Sequence, residues 1–454
     1  MCRGNVRFKQ GNVFMNCDSA RFYEVINKIE AFGHIYIKQQ DTLNLWGEYL
    51  EYDGDLRQAK VSKNVRLTDG TMNLKTDQIN YDLVDKVGSY FTGGYIKNGE
   101  DKLFSEKGTY FSRTKEFFFK DSVKLENPDY TMESDTLKYN TTSKVATFFG
   151  PTYIVSEENT IFCKYGWYNT NREIAQFSKG VYIEGKENKL NADSMVYYRN
   201  TGLGEAYGNI LLVDTSEKVT LTGQYGKYER FTKTTIITGN PQAIKNVDGD
   251  SLYLKADTLI DIADSLEDYR VLKAFRNVKV FKSDLQAVSD SMVYAFTDST
   301  ISFYIKPIIW TDSNQITGDT IVVLNNENGL EKLKAYNKGF IAEKDPNGLF
   351  NQISGKTLDA FFVEGKLQRV EVDGNGQSIY YAREDSTQYS GVNDVVCGKM
   401  VIYIDTANKV RTITFRKQPK ATFYPIEEFP TSKARLSNFS WMNMIRPKLN
   451  NFLN

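Results

Sequence analysis

The sequence contains one histidine, four cysteines and nine prolines in 454 residues, and these scarcities exclude several classes of protein. The cysteines, at positions 2, 17, 163 and 397, lack the close paired spacing of a zinc site and the dense spacing of a disulfide framework. The single histidine, His34, cannot serve a metal centre and a catalytic triad together, and no GxSxG, P-loop or HExxH motif is present. We therefore expect no enzyme, no metal site and no cofactor.

Net charge and long apolar runs are also lacking. Lys+Arg and Asp+Glu are equal at 57 each, so no excess of positive charge is available to recruit nucleic acid, and we expect no such partner. No apolar run approaches the roughly 18 residues that a transmembrane helix requires. Residues 1–6 enter a strand-like pattern directly, without an apolar signal sequence. We therefore expect either a cytosolic protein or a true start that lies further upstream.

Aromatic residues are abundant, with 29 Tyr and 28 Phe, and hydrophobic residues make up 41% of the chain. This composition excludes disorder, and aromatic side chains favour strands because they fit a half-buried pleated surface. Runs of strong helix formers are rare. The composition therefore predicts an all-β protein.

One phrase recurs along the chain: a small residue, Asp, any residue, an apolar residue, any residue and an aromatic residue. Close copies cover residues 17–22, 76–81, 134–139, 192–197 and 289–294. The glycines that open the repeats recur about every 29 residues, a period typical of solenoids. They are Gly4, Gly33, Gly93, Gly150, Gly180, Gly208 and Gly239, with Lys63 and Lys120 in the same place in two gaps. With turn clusters such as Asp53-Gly54-Asp55, this period predicts two long antiparallel strands per repeat.

The alternation of side chains slips by one residue inside each phrase. Apolar positions are even-numbered before Asp135, as at Met132, and odd-numbered after it, as at Leu137. Because strand side chains alternate with period two, a slip at a fixed place in every repeat predicts a β-bulge and a bend. Bent strands paired with bent neighbours give an elongated, antiparallel folded-sheet β-jellyroll solenoid. Small residues such as Cys17 and Cys163 would then pack inside the bend.

The repeated aspartates invite a catalytic interpretation as paired carboxylates. A catalytic pair occurs once, whereas here Asp recurs in about every second unit and Glu48 or Lys164 replaces it in others. We interpret these residues as corner residues that accept backbone N–H groups freed by the bulge. Calcium-binding nonapeptide repeats need clustered Gly-Gly-x-Gly-x-Asp runs, which the sequence lacks.

The repeat, with Gly-Asn-Val-x-Phe at residues 4–8 and Asp-Ser-Ala-x-Phe-Tyr at residues 18–23, resembles the LptA/OstA-like family of lipopolysaccharide transport proteins. The resemblance covers roughly residues 1–416 and is clearest over 1–300. It implies a periplasmic or outer-membrane-associated protein whose apolar interior shields the acyl chains of lipid A. It also implies partners, an inner-membrane extraction complex and an outer-membrane translocon, that dock through edge strands.

The inward residues around each bend form the predicted lipid-binding groove. They are Met15, Ala20, Phe22, Leu74, Ile79, Tyr81, Met132, Leu137, Tyr139, Leu190, Met195, Tyr197, Met292 and Tyr294. Methionine suits a sliding apolar ligand because its thioether adapts to irregular shapes. The alternative is that the same side chains fill a dry core.

We expect the repeats to divide into residues 1–235 and 236–416, followed by a tail at 417–454. Four of the prolines lie in the tail and cannot donate to a strand ladder, so the tail either caps the final edge strand or docks on a partner.

The alternative architecture is a parallel β-helix that serves as a surface or carbohydrate-binding scaffold, with tyrosines and tryptophans stacked on sugar rings. A β-helix has three short strands per coil. Two long strands with a slip in the middle favour the lipid-binding jellyroll instead.

Overall fold

The computed structural model describes residues 1–39, 43–68, 70, 72–247, 249–264, 269–326, 329–384, 388–405 and 410–453. These residues form 34 β-strands and five 3₁₀ helices of three residues each, which confirms the all-β prediction. Within this part of the chain no helix is long and apolar enough to cross a membrane. The chain divides into an N-terminal unit, residues 1–207, and a C-terminal unit, residues 208–454. The predicted division at residues 235 and 416 stays a prediction.

The N-terminal unit is built from consecutive strands that pair with their neighbours. They are β1 (Cys2–Gln10), β2 (Val13–Tyr23), β3 (Lys28–Gln39), β4 (Leu43–Asp53), β5 (Gln58–Thr68), β6 (Met72–Asp82), β7 (Val87–Tyr90), β8 (Gly94–Asn98), β9 (Asp101–Ser105), β10 (Lys107–Phe111), β11 (Glu116–Glu126), β12 (Tyr130–Asn140), β13 (Val145–Ser156), β14 (Asn159–Asn169), β15 (Ile174–Gly185), β16 (Asn188–Tyr198) and the first part of β17 (Leu203–Asp214). A 3₁₀ helix, Glu24–Ile26, follows β2. Strands β7 with β8, and β9 with β10, are halves of two interrupted long strands that lie between β6 and β11.

The C-terminal unit continues from the last part of β17. Its strands are β18 (Val219–Glu229), β19 (Thr234–Thr238), β20 (Gln242–Val247), β21 (Asp250–Lys255), β22 (Thr258–Asp264), β23 (Tyr269–Phe281), β24 (Gln286–Ala295), β25 (Thr300–Tyr304), β26 (Ile308–Thr311), β27 (Asn314–Thr317), β28 (Thr320–Asn326), β29 (Gly329–Lys344), β30 (Phe350–Val363), β31 (Lys366–Arg383), β32 (Tyr389–Ile404), β33 (Val410–Arg416) and β34 (Lys420–Tyr424). The 3₁₀ helices Ile426–Glu428, Thr431–Lys433, Asn443–Ile445 and Leu449–Asn451 follow.

The strand ladders of both units are antiparallel. A parallel β-helix would pair strands of successive coils in the same direction. The observed register therefore contradicts the β-helix alternative and confirms the antiparallel β-jellyroll.

A β-bulge interrupts the long strands at the predicted slip. Between β5 and β6 the register shifts so that Lys63 and Asn64 together face one residue of β6. Both have positive φ, 70° and 50°. At the second position where the series of repeat-opening glycines is interrupted, the bulge falls on Asp121 and Ser122. This is one residue later than the predicted Lys120. Because a bulge bends its strand, each long strand divides into two halves, as predicted.

The turns between repeats confirm the 29-residue period. Positive φ values recur every 29 residues at Arg57, Lys86, Lys115, Lys144 and Glu173. The carbonyl of each of these residues accepts a hydrogen bond, 2.9–3.1 Å long, from a backbone N–H in the next turn. Successive repeats are therefore joined through their turns as well as through their strands.

The bend divides the sheet of each unit into two wings. Wing A is the part between the bulges and one set of turns. In the N-terminal unit these turns are 54–57, 83–86, 112–115, 141–144, 170–173 and 199–202, and in the C-terminal unit they include 230–233 and 296–299. Wing B is the part between the bulges and the opposite set of turns. In the N-terminal unit these turns include 99–100, 127–129, 157–158 and 186–187, and in the C-terminal unit they include 215–218 and 345–349. The inner face of each wing lies inside the bend.

The tail after β34 lies on the outer face of wing B of the C-terminal unit. The side-chain amides of Gln352 and Gln315 each donate one hydrogen bond to the tail backbone and accept one from it, at 2.6–2.9 Å. Further along, the ring of Phe452 packs 5.9 Å from that of Tyr253 and 6.2 Å from that of Phe281. The predicted tail thus first adds β34 to β32 and then covers the sheet.

Candidate functional site

The inner face of wing A in the N-terminal unit is apolar. Register places Leu137 of β12 opposite Phe119 on one side and Phe148 on the other, and all three are buried. One step closer to the turns, Tyr139 lies opposite Phe117, and both are only half-buried. Burial therefore decreases from the bend toward the rim of the wing.

The inner face of wing B in the N-terminal unit is apolar as well. Met132 lies opposite Leu125 and Ile154, and Leu190 lies opposite Ile183. Met132 is buried, whereas the other four side chains are half-buried. The two wings together present a groove with an apolar floor and apolar, partly accessible sides.

Small residues occupy the inside of the bend, as predicted. Ser134 and Thr152 are buried opposite each other and share a hydrogen bond of 2.8 Å. Cys163 is fully buried, and burial raises the pKa of its thiol to about 11. A Cβ on the nearby Gly166 would lie 2.2 Å from the ring of Phe148. The floor of the groove is therefore packed, and its thiol is neutral and unreactive.

A buried tyrosine hydroxyl also lies in the floor, in addition to the small hydroxyls of Ser134 and Thr152. The Tyr90 hydroxyl lies 2.6 Å from Ser105 Oγ, and burial raises the pKa of Tyr90 to about 12. Its ring fits because the facing residues are Gly94 and Gly108, where an added Cβ would lie 2.3 Å away. Sequence reasoning missed this group, because the interrupted strands β7 to β10 do not carry the repeat phrase.

The structure separates the predicted lining into groups. Buried members are Ala20, Leu74, Ile79, Met132, Leu137, Met292 and Tyr294. Half-buried members are Met15, Tyr81, Tyr139, Leu190, Met195 and Tyr197. Phe22 is 59% exposed because the pairing of β1 with β2 reaches only to Ala20. The role of these residues in lipid binding stays a prediction.

Sequence reasoning took lining residues from one strand of each repeat and missed those of the alternate strands. Phe119, Phe148 and Phe177 are buried on the same inner face. The signal that could have found them is the alternation of Phe117 and Phe119 in a strand without the aspartate phrase.

The corner aspartates lie on the outside of the bend. The Asp18 carboxylate lies 2.8 Å from His34 Nδ1, and this hydrogen bond and the negative charge of Asp18 raise the pKa of His34. A Cβ on Gly33 would lie 2.2 Å from Asp18 Oδ2, which explains glycine at this bulge. Asp18 therefore contacts the bulge of the neighbouring strand, away from the groove, while acceptance of backbone N–H groups stays a prediction.

A folded antiparallel sheet with an apolar inner face is the architecture of a β-jellyroll. Residues 1–135 and 134–193 match the model of a family described as OstA-like protein. The match covers nearly all of the N-terminal unit and confirms the predicted family resemblance for this part of the chain.

A solved structure also matches: LptH of Pseudomonas aeruginosa, described as the LptA homologous periplasmic component of the lipopolysaccharide transport device. The identity is 15%, the match covers 30% of this chain and 82% of that chain, and the TM-score is 0.17. At that TM-score the likeness supports no argument, and the fold rests on the strand register. No curated protein matches this chain.

Proposed function

We propose that this protein binds lipopolysaccharide through the acyl chains of lipid A in the groove of the N-terminal unit. It passes this lipid between the inner and outer membranes as a non-enzymatic protein of the periplasm. The observation that carries the proposal is the row of apolar, half-buried side chains along both sides of the groove, as at Tyr139 and Leu190. The family match over the same residues supports it.

The polarity of the two faces suits an amphipathic lipid. Each buried methylene of an acyl chain gains about 0.8 kcal/mol, so the half-buried inner side chains offer a continuous source of binding energy. Outward neighbours are charged: Lys138 Nζ lies 2.6 Å from Glu116, and Lys189 Nζ lies 2.7 Å from Glu184. Acyl chains would lie inside and sugars outside, and movement along the groove requires no covalent step.

Strand β1 is the proposed docking edge for a membrane partner. It pairs with β2 along one edge, and no ladder within the described residues occupies its other edge. A partner strand could add there and extend the sheet. Photo-crosslinking from Arg7 should then capture a component of the inner-membrane extraction complex or the outer-membrane translocon.

Matched photo-crosslinking pairs test the proposed cargo. A crosslinkable residue at Tyr139 or Leu190 faces the groove, whereas one at the adjacent Lys138 or Lys189 faces outward. We expect lipopolysaccharide adducts from the first pair and none from the second. Absence of adducts at both inward positions, in protein shown to be folded and exported, would refute the proposal.

A carbohydrate-binding scaffold is the second candidate, and exposed aromatics on the outer face favour it. Tyr153 is half-exposed, with its ring 4.9 Å from that of Phe162, and the ring of Phe149 lies 5.5 Å from that of Tyr165. Exposed rings of this kind can stack on sugars. Saccharide adducts from Tyr153, without lipid adducts from Tyr139, would favour this function.

A further inference from the structure

The same position of the repeat has different surroundings in the two units. Tyr139 and Tyr294 both end the aspartate phrase, yet Tyr139 is half-buried and Tyr294 is only 6% exposed. In the C-terminal unit, successive pairing continues this row from Tyr294 to Val323 and Leu333, which have no exposed surface. The interior of the C-terminal unit is thus filled by its own side chains.

Three charged residues join the wings of the C-terminal unit, and we call them the Arg270 cluster: Asp214, Asp261 and Arg270. Arg270 forms two bonds to Asp261 of wing A, 3.2 and 2.9 Å long, and one of 2.6 Å to Asp214 of wing B. Their side chains are only 12–18% exposed. Because buried charges are costly without their partners, separation of the wings here is strongly opposed.

Aromatic packing reinforces this closure. The Arg270 guanidinium lies 5.2 Å from the centre of the Phe296 ring, and Lys245 of wing B lies 4.3 Å from it. Phe296 in turn stacks on Tyr294 with ring centres 4.6 Å apart. Lys245 is also 3.2 Å from Glu217. The rim at Tyr294 is therefore covered by groups from both wings.

The N-terminal unit has a cross-wing ion pair of a different kind. Arg199 and Asp129 lie 2.6 Å apart, but their side chains are 49% and 61% exposed. Exposed pairs contribute little because water and salt screen them. This pair can therefore open at small cost, whereas the Arg270 cluster cannot.

We propose that acyl chains bind only in the N-terminal unit, and that the Arg270 cluster keeps the wings of the C-terminal unit closed to them. The identity of the cargo rests on the proposed function. The closure of the C-terminal unit does not rest on the proposed function, and it is measured separately.

Cysteine labelling tests the closure without any lipid. Tyr139→Cys and Tyr294→Cys are made separately in a Cys2→Ser background, because Cys2 is the exposed native thiol and the others are buried. Reaction with N-ethylmaleimide in the folded full chain is followed by mass spectrometry. We expect position 294 to react at least about 100-fold more slowly than position 139, because the reagent can reach position 294 only when the wings open. Comparable rates would overturn the proposal.

Asp214→Asn then opens the wings with little risk to folding. It weakens the bond between wings but leaves Arg270 paired with Asp261, and the amide oxygen can still accept the backbone N–H groups of Ser216 and Glu217. We expect labelling at 294 to accelerate about 10-fold or more. The matched variant Asp129→Asn should leave labelling at 139 within about 2-fold. An unchanged rate at 294 would overturn the role of the cluster.

Lipid crosslinking completes the test. We expect acyl adducts at 139 and none at 294 in the unchanged protein, with adducts at 294 appearing in Asp214→Asn. Adducts at both positions in the unchanged protein would overturn the restriction to the N-terminal unit and leave the proposed function intact. Absence of adducts at 139, combined with slow labelling at 294, would refute the proposed function but support the closure.

Discussion

The substitution Gln352→Leu tests how the C-terminal tail is held on the sheet. The Gln352 side chain is fully buried, donates a 2.9 Å hydrogen bond to the Ala434 carbonyl and accepts one of 2.9 Å from the Leu436 N–H. Leucine has a similar volume but no polar atom. The change therefore removes both hydrogen bonds to the tail, and a third of 3.2 Å to the Phe350 carbonyl, while the apolar packing is retained.

The cost follows from the two backbone groups left without a partner. Each buried unpaired group costs about 1–3 kcal/mol. Because the tail lies at the surface and water can reach part of it, we take a total of about 2–4 kcal/mol. At 1.4 kcal/mol per factor of ten, detachment of the tail should become roughly 30- to 700-fold more favourable.

Hydrogen exchange followed by mass spectrometry measures this detachment directly. Peptides from residues 430–453 should exchange faster by that factor in Gln352→Leu, while peptides from β30 and β31 stay protected. Gln58→Leu, at an exposed position of the N-terminal unit, is the matched control and should change neither. Tail exchange that stays within about 3-fold of the unchanged protein would refute the reasoning, and would mean that the Gln315 hydrogen bonds and the aromatic packing suffice to hold the tail.

Three other perturbations have definite expected outcomes. Gly108→Ala should destabilise the protein by about 1–3 kcal/mol in urea unfolding, because the new Cβ meets the Tyr90 ring, and Tyr90→Leu should largely remove that penalty. Met132→Arg should block lipopolysaccharide transfer in a reconstituted assay, because it places an unpaired charge in the groove, whereas Glu133→Arg on the outer face should not. Burial opposes ionisation of Asp345, but its hydrogen bonds outweigh burial and hold its pKa below the ordinary 3.8. Its stabilising effect should therefore be present above pH 3.8 and be lost as the pH falls through the lowered pKa, and Asp345→Asn should flatten this loss in thermal unfolding.

The fold could be predicted from the sequence because its repeat is written in local signals. The slip beside Asp135 marks the bulge, and the turn residues with positive φ, such as Lys86 and Lys115, keep the 29-residue interval. These features depend on backbone geometry within one repeat. The sequence alone therefore sufficed for the architecture, the period and the small residues in the bend.

The state of the groove could not be predicted in the same way. Tyr139 and Tyr294 occupy the same place in the same phrase and differ in burial. The difference accompanies long-range contacts in the C-terminal unit, such as the pairing of Arg270 with Asp214, which lie 56 residues apart. Side-chain alternation reports which face a residue takes, but whether that face is closed depends on such distant contacts.

The outer face of wing B shows the same dependence on distant contacts. Thr131 and Val155, paired in the N-terminal unit, are exposed, whereas Gln286 and Trp310, paired in the C-terminal unit, are buried. A strand that is apolar on both faces must be covered on both, since exposed apolar surface of that extent favours association. In the C-terminal unit the tail supplies the second cover, and the buried side chains of Gln315 and Gln352 satisfy part of its backbone where no regular strand does so. The same repeat thus builds a two-layered groove with a free outer face in one unit and a three-layered closed body in the other.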